Sequence, residues 1–261
     1  HQWTSSGTHL NEYNTSILTD IISCTETLES GGDFETEFTV KGLDDSLSTV
    51  YVYGRDMVIN NTGWINTGLK IGVDGTAPEA DASIDYRDWG NDDINVEVNC
   101  SDSGGSGVDY WDYAWSNSTA PPASGYTRVY GTYKLLTYAQ DDTVYLHIKV
   151  FDNVGNSEAY ALGPYRKDSI APENTVTPAM HNGSSEEIVL DIEITDENSG
   201  ISEVLYLLTG TDTEPDKGDY SIAIESSFSY TIPDTEDAVY YMHIISTDKA
   251  GNETYTCSGP Y

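Results

Sequence analysis

Aspartate-rich turns are the part of this sequence whose residue types and spacing could do chemistry. The turn at 152–156 reads Asp-Asn-Val-Gly-Asn and follows an alternating strand, and the turn at 248–252 repeats the pattern 96 residues later. Carboxylate and amide oxygens are the ligands that Ca²⁺ prefers, and the ion takes about six to eight oxygens, including those of waters and backbone carbonyls. Two such turns at one period therefore predict a pair of equivalent Ca²⁺ sites.

The same turns have a purely structural alternative. An Asp or Asn in a tight turn accepts hydrogen bonds from nearby backbone N–H groups, and Gly155 or Gly251 supplies the positive φ that the turn requires. Neither turn contains the full Asp-x-Asp-x-Asp-Gly loop that makes a calcium site compelling from sequence alone. The sequence leaves both interpretations open.

The turns belong to a repeat that divides the chain into three units. A degraded copy of the strand and turn lies a further 96 residues upstream, at 50–60. Three copies at one period indicate a tandem array. The first unit is incomplete, because its Trp3 aligns with Trp115, which already lies a third of the way into the second unit, so the first two strands have no counterpart. The predicted units are 1–74, 75–168 and 169–261, and the strands predicted in the first unit are 16–24, 34–41, 48–54 and 64–73.

Each complete unit shows about seven short alternating segments and no helical period. The segment 94–100 alternates apolar and polar residues, as a half-buried strand does, with Cys100 on its apolar side. Trp111, Tyr113 and Trp115 share one parity of the next strand, and the equivalent positions of the third unit are aliphatic and aromatic, which favours a core stripe over a sugar-binding platform. The profile predicts an all-β fold of tandem immunoglobulin-like β-sandwiches in an elongated array.

The predicted sandwich brings the acidic turns together. Its second and sixth strands both run toward the pole where the unit begins, so the turns that follow them meet the incoming linker there. A bound ion at this pole would neutralise crowded carboxylates and stiffen the junction between units. The predicted ligands are Asp74, Asp102, Asp152 and Asn156 at the first junction, and Asp168, Asp196, Asp248 and Asn252 at the second.

Three motifs recur in the two complete units. In the second unit they are Val-Asp-Gly-Thr-Ala-Pro at 73–78, Asp-Ser-Gly-Gly-Ser-Gly-Val at 102–108 and Asp-Asn-Val-Gly-Asn at 152–156. Together they resemble the bacterial Ig-like repeats that occur in tandem in large secreted and surface-anchored prokaryotic proteins. The resemblance covers 75–261 and only the back half of the pattern in 1–74. It implies modules that serve as stalks, spacers or adhesive units, some of which accompany secreted glycosidases.

Charge and motif content exclude several classes of function. The chain has 44 acidic and 11 basic residues and a formal charge of −33, whereas phosphate binding needs clustered Lys and Arg, so nucleic acid is excluded as a partner. No apolar run approaches the roughly 18 residues of a membrane-spanning helix, so we expect no membrane insertion of this segment. No nucleophile elbow, zinc-protease helix or phosphate loop is present. His147 and His243 occupy equivalent outward strand positions, which indicates repeat features rather than catalytic bases.

These observations predict a non-enzymatic extracellular or cell-surface protein: a stalk, an adhesin segment or a filament subunit. The alternative is a set of accessory or carbohydrate-binding modules from a secreted polysaccharide-degrading enzyme. Rows of exposed aromatic residues would favour that alternative, whereas inward aromatic residues favour the stalk. Expected partners are neighbouring modules or subunits, and a surface or glycan ligand is a further candidate. The strands missing from the first unit lie upstream in a longer chain, or a neighbouring subunit supplies a strand as in donor-strand complementation.

Overall fold

Antiparallel β-strands and one short 3-10 turn make up the regular structure of the described chain. The structure, a computed structural model, describes residues 2–4, 46–55, 61–180, 187–223, 225–233 and 238–261. Within these ranges no helix is long and apolar enough to cross a membrane.

A three-stranded antiparallel sheet comes first in the chain. Its order is β1-β2-β3. The predicted strands at 48–54 and 64–73 correspond to β2 and β3, while those at 16–24 and 34–41 and the degraded turn at 56–60 lie outside the described residues. The strands are β1 (Gln2–Thr4), β2 (Ser46–Arg55) and β3 (Asn61–Val73).

Seven strands then form the central sandwich. One sheet has the order β4-β5-β8 and the other β10-β9-β6-β7, with every pair antiparallel. The strands are β4 (Glu79–Ala82), β5 (Ile94–Ser101), β6 (Val108–Ser116), β7 (Thr127–Tyr130), β8 (Tyr133–Tyr138), β9 (Asp142–Asp152) and β10 (Ser157–Lys167).

Another seven strands repeat this arrangement in the C-terminal sandwich. Its sheets have the orders β11-β12-β15 and β14-β13-β16-β17. A 3-10 turn at Lys217–Asp219 precedes the short β14. The strands are β11 (Glu173–Thr177), β12 (Val189–Thr195), β13 (Ile201–Thr209), β14 (Ser221–Ile222), β15 (Ser227–Thr231), β16 (Tyr241–Asp248) and β17 (Glu253–Ser258).

Each sandwich encloses its own apolar core, built from strands of alternating polarity. In the central sandwich Ile94, Cys100 and the residues of the same parity between them are buried, and they pack against the buried Trp111. Tyr113 and Trp115 also pack against this core, which confirms the predicted inward stripe. Burial raises the pKa of the Cys100 thiol to about 11, as expected for a cysteine that fills core space.

The fourth strand of each sandwich pairs with the third. In the constant-type immunoglobulin arrangement the fourth strand joins the sheet of the first, second and fifth strands. Here β7 pairs with β6, and β14 pairs with β13, so the division is three strands plus four. Strand number and alternation, from which the sandwich was predicted, do not specify which sheet this edge strand joins.

The N-terminal sheet has the same register as part of the larger central sheet. Trp3 pairs with Val50 across β1 and β2, and Trp115 pairs with Leu146 across β6 and β9. The order β1-β2-β3 thus matches β6-β9-β10. This is the register that the repeat alignment of Trp3 with Trp115 predicts.

Both repeated histidines are buried, although they lie on the outer faces of their sheets. His147 is 2% exposed and His243 is fully buried. The chain that follows the third strand folds over each ring, and the Nε2 atoms lie 3.0 Å from the carbonyl oxygens of Ser118 and Thr211. Parity correctly predicted the outward face, but not the loop that covers it. Each histidine thus serves to fix a loop.

Candidate metal centre

Three aspartates converge at the pole of the central sandwich where the preceding linker arrives. Asp74 follows the end of β3, Asp102 follows the end of β5, and Asp152 is the last residue of β9. One carboxylate oxygen of each lies within 4.8 Å of the others. We call these three residues the central acidic cluster. They come together because β5 and β9 both run toward this pole, as the predicted topology requires.

The C-terminal sandwich has the same arrangement. Asp168, Asp196 and Asp248 likewise present carboxylate oxygens that all lie within 4.8 Å of one another. Asp168 is fully buried and Asp248 is 2% exposed. We call these residues the C-terminal acidic cluster. The structure therefore brings together all six predicted aspartates, three at each junction.

Backbone N–H groups surround the cluster carboxylates. Asp152 Oδ1 accepts hydrogen bonds from the backbone nitrogens of Val154, Gly155 and Asn156 at 2.6–2.9 Å. Gly155 has a φ of 101°, which lets the turn close around the carboxylate. The structural interpretation of the turn is therefore correct. It leaves the ion interpretation open at the other oxygen, Asp152 Oδ2, which accepts a hydrogen bond from Asn156 Nδ2 and has a second lone pair.

The linker aspartates fasten the linker to the sandwich that follows. Asp74 Oδ2 accepts a hydrogen bond from the backbone nitrogen of Ser106 at 2.9 Å, and Asp168 Oδ2 accepts one from that of Ser199 at 3.0 Å. A Cβ on Gly104 would collide with the Asp74 carboxylate. The central loop thus needs glycine at this position. The motif at 102–108 has that glycine, but its spacing alone did not show why it is needed.

The two turn asparagines act as hydrogen-bond donors. Asn156 Nδ2 lies 3.0 Å from the carbonyl oxygen of Asp74 and 2.7 Å from Asp152 Oδ2, and Asn252 Nδ2 makes the equivalent contacts to Asp168 and Asp248 at 2.9 and 2.7 Å. We call Asn156 and Asn252 the bracing asparagines, since each ties the linker backbone to a cluster. Their predicted role was that of oxygen ligands, and the geometry instead turns the amide nitrogen inward. In the sequence, the only sign of this bracing role is that Asn recurs at the same position of both turns.

The mutual repulsion of the carboxylates in each cluster favours binding of a cation. At an effective dielectric constant of about 20, two unit charges 4.8 Å apart repel by about 3.5 kcal/mol. The backbone donors offset part of this cost, and a divalent ion would offset more. The C-terminal cluster adds a second sign of an incomplete site: the Oγ of Ser199, a residue only 4% exposed, has no hydrogen-bond partner among the described residues. The equivalent Ser106 Oγ contacts Asp102 Oδ2 at 3.5 Å, which places this side chain on the cluster side of the loop.

The residue after the turn aspartate differs between the two clusters. Asn153 Nδ2 donates to the carbonyl oxygens of Ser106 and Gly107 at 2.9 Å and so fixes the central loop. The equivalent residue of the C-terminal turn is Lys249, whose Nζ lies 3.3 Å from where a Cβ on Gly200 would stand. The C-terminal loop thus carries a positive charge where the central loop carries a neutral amide, a difference that would weaken cation binding at the C-terminal cluster.

Comparison with known proteins identifies no family for this chain. No family model matches the sequence, and no curated protein is similar to it. Among solved structures, the fibronectin(III)-like modules of Clostridium thermocellum CbhA are 14% identical and cover 69% of this chain and 91% of their own, with a TM-score of 0.32. The D00-D0 domain of intimin is 9% identical and covers 69% of this chain and 98% of its own, with a TM-score of 0.35. Domains A168-A170 of titin are 11% identical and cover 82% of this chain and 74% of their own, with a TM-score of 0.36.

The fold defines the class of protein. The described chain is all-β and its strands form antiparallel sheets, which makes it a protein of the β-sandwich class. Fold alone does not fix function, because one sandwich architecture serves many unrelated roles.

Proposed function

We propose that this chain is a non-enzymatic structural segment of an extracellular or cell-surface protein, a stalk or adhesive spacer of three units at 1–74, 75–168 and 169–261. The observation that carries the proposal is the repeated linker attachment. At both junctions a linker aspartate bonds to the backbone of the next sandwich, and a bracing asparagine bonds to the linker carbonyl. A protein built to hold its modules in register needs such junctions, whereas a flexible tether does not.

The second linker is also held by the sandwich that precedes it. The backbone nitrogen of Asp168 donates to the carbonyl oxygen of Gly90 at 3.1 Å. Lys167 Nζ and the backbone nitrogen of Ser169 both donate to Asp141 Oδ1, at 2.8 and 2.9 Å. Lys167 is only 4% exposed, so its ion pair is shielded from solvent. These contacts support a stiff junction, because the preceding sandwich bonds residues 167–169 and the following sandwich bonds Asp168 and Ile170, so Asp168 is held from both sides.

Ca²⁺ is the cofactor we propose for the two acidic clusters. Each cluster offers three carboxylates and nearby backbone carbonyls, the hard oxygen ligands that the ion takes at about 2.3–2.6 Å, with waters completing the shell. Binding would neutralise the mutual repulsion of the carboxylates and would lock the linker aspartate to the two loops of the next sandwich. The cation would therefore act as a structural brace and would take part in no reaction.

Small-angle scattering of the chain tests the stalk proposal. A matched variant carries Gly-Ser-Gly-Ser inserted between Asp168 and Ser169, which frees the junction and leaves both sandwiches intact. We expect the wild-type chain to give a narrow distribution of long particle dimensions, and the inserted variant to give a broader and more compact one. Identical scattering from the two proteins would contradict the proposal, since the native linker would then behave as a flexible tether.

A further inference from the structure

We propose that the outer face of the larger central sheet is a binding surface for an uncharged polysaccharide. Tyr130, Tyr110 and Phe151 form an aromatic row across the neighbouring strands β7, β6 and β9. Ring centroids of Tyr110 and Phe151 are 4.6 Å apart in a stacked geometry, and those of Tyr110 and Tyr130 are 6.4 Å apart, edge to face. Tyr130 is 75% exposed. These rings are separate from the Trp111 stripe, which faces the core.

A row of charged side chains lies beside the aromatic row. Arg128 Nε and Nη2 donate to the two carboxylate oxygens of Asp112 at 2.9 and 3.0 Å, a two-pronged pair that fixes both planar groups. The Arg128 guanidinium also lies 3.7 Å from the Tyr110 centroid, and the ammonium of Lys149 lies 4.8 Å from that of Phe151. The guanidinium has five N–H donors, so it retains N–H groups beyond those bound by Asp112.

The fold itself does not require these residues. The pair Tyr110 and Phe151 of the central sandwich corresponds to Glu203 and Thr247 of the C-terminal sandwich, by their equivalent pairing between the third and sixth strands. Asp112 and Lys149 likewise correspond to Leu205 and Ile245. The same architecture therefore forms with neither aromatic nor paired charged groups on this face. Cross-strand stabilisation alone would not explain why only one sandwich carries them.

The side chains on the outer face of the larger central sheet match the chemistry of a polysaccharide. Exposed tyrosine presents an apolar ring and a hydroxyl, and the fixed carboxylate and guanidinium offer acceptors and donors to neighbouring hydroxyl groups. Polysaccharides combine apolar C–H faces with closely spaced hydroxyls, which match both rows. The face is broad and lies on a sheet, which suits an extended polymer better than a small molecule that needs a pocket. A formal charge of −33 repels polyanions, which excludes acidic polysaccharides, and among the remaining polymers the proposal is for an uncharged one.

Affinity electrophoresis tests this surface with defined polymers. The complete chain is run through native gels that contain hydroxyethylcellulose, galactomannan or pullulan, and alginate serves as the polyanionic comparison. We expect retardation by at least one uncharged polymer and none by alginate. Tyr130→Ala should weaken that retardation about tenfold, as expected for an exposed aromatic anchor, and Arg128→Lys should weaken it too by removing the two-pronged geometry.

The matched control is Tyr86→Ala, because Tyr86 is a similarly exposed tyrosine, at 71%, in the segment between β4 and β5. It should leave retardation unchanged, and all variants should melt within a few degrees of the wild type. Retardation by none of the three polymers, or equal loss with Tyr86→Ala, would overturn the proposal. Sedimentation over a concentration series tests whether a second copy of this chain occupies the face instead. If the chain self-associates, Tyr130→Ala abolishes the association and no polymer binds, the face is an interface between copies and the polysaccharide proposal is wrong. Either failure would leave the stalk proposal standing.

Discussion

Replacing a bracing asparagine, with chelator present so that no ion contributes, tests the junction geometry. Asn252→Asp keeps the size of the side chain but replaces the amide nitrogen by a carboxylate oxygen. That oxygen would face the carbonyl oxygen of Asp168 at 2.9 Å, that of Ile170 at 3.3 Å and the Asp248 carboxylate at 2.7 Å. Three attractive contacts therefore become three repulsive ones.

The expected loss of stability follows from these three contacts. Two hydrogen bonds to neutral carbonyls contribute about 1 kcal/mol each, and one to a charged carboxylate contributes about 1.5–3 kcal/mol. The free energy of unfolding of the C-terminal sandwich should therefore fall by about 3.5–5 kcal/mol. For a domain of this size each kcal/mol shifts the melting temperature by roughly 4–8 °C, so the melting temperature should fall by at least roughly 14 °C.

The tryptophans allow this effect to be assigned to one sandwich. All five of them precede residue 116, so tryptophan fluorescence does not report on the C-terminal sandwich. We expect Asn252→Asp to lower the melting temperature of one calorimetric transition and to leave the melting temperature measured by tryptophan fluorescence unchanged. Asn91→Asp, an exposed substitution with the same charge change, should alter neither. A calorimetric shift of Asn252→Asp no larger than that of Asn91→Asp would refute the bracing role.

Three further outcomes can be measured on the central sandwich. Gly104→Ala should displace the Asp74 carboxylate and lower the free energy of unfolding, followed by tryptophan fluorescence, by about 1–3 kcal/mol. An unchanged free energy of unfolding would contradict the close approach of Gly104 and Asp74. The hydrogen bond from Lys167 lowers the pKa of Asp141, so its stabilisation is present above about pH 3.9 and is lost as the pH falls through the lowered value. The free energies of unfolding of Asp141→Asn and the wild type, measured with denaturant, should thus differ at pH 7 and converge as the pH falls through that lowered pKa. Burial of Cys100 should prevent alkylation of its peptide by iodoacetamide until the protein unfolds, and rapid native labelling would contradict its place in the core.

Alternation and repeat spacing predicted most of the scaffold. The parity of the residues from Ile94 to Cys100 identified the inward face of β5, and the offset of 96 residues placed Asp152 and Asp248 at equivalent strand ends. Topology then brought the turns to one pole, because strands two and six of the sandwich run in the same direction. These features depend on period and connection order, which sequence displays directly.

Contacts made by loops could not be predicted in the same way. His147 has the parity of a solvent-facing residue, yet the chain near Ser118 covers it, since parity describes a strand and not what folds over it. The donor role of Asn156 depends on which end of an amide faces three oxygens, a choice that only the surrounding atoms determine. The aromatic row through Tyr110 became visible only once the register paired β6 with β7 and β9.

Calorimetric titration of Ca²⁺ into the chelator-treated chain tests the central claim, that the acidic clusters brace the junctions by binding a cation. We predict saturable binding of two ions per chain, with the C-terminal site weaker because of Lys249. Asp196→Asn should remove that site, since it takes away one carboxylate charge while its Oδ1 still accepts from the backbone nitrogens of Asn198 and Gly200. Extracellular modules bind Ca²⁺ with dissociation constants of about 10⁻⁴–10⁻³ M. The absence of saturable binding throughout that range, or two ions still bound by Asp196→Asn, would contradict the account.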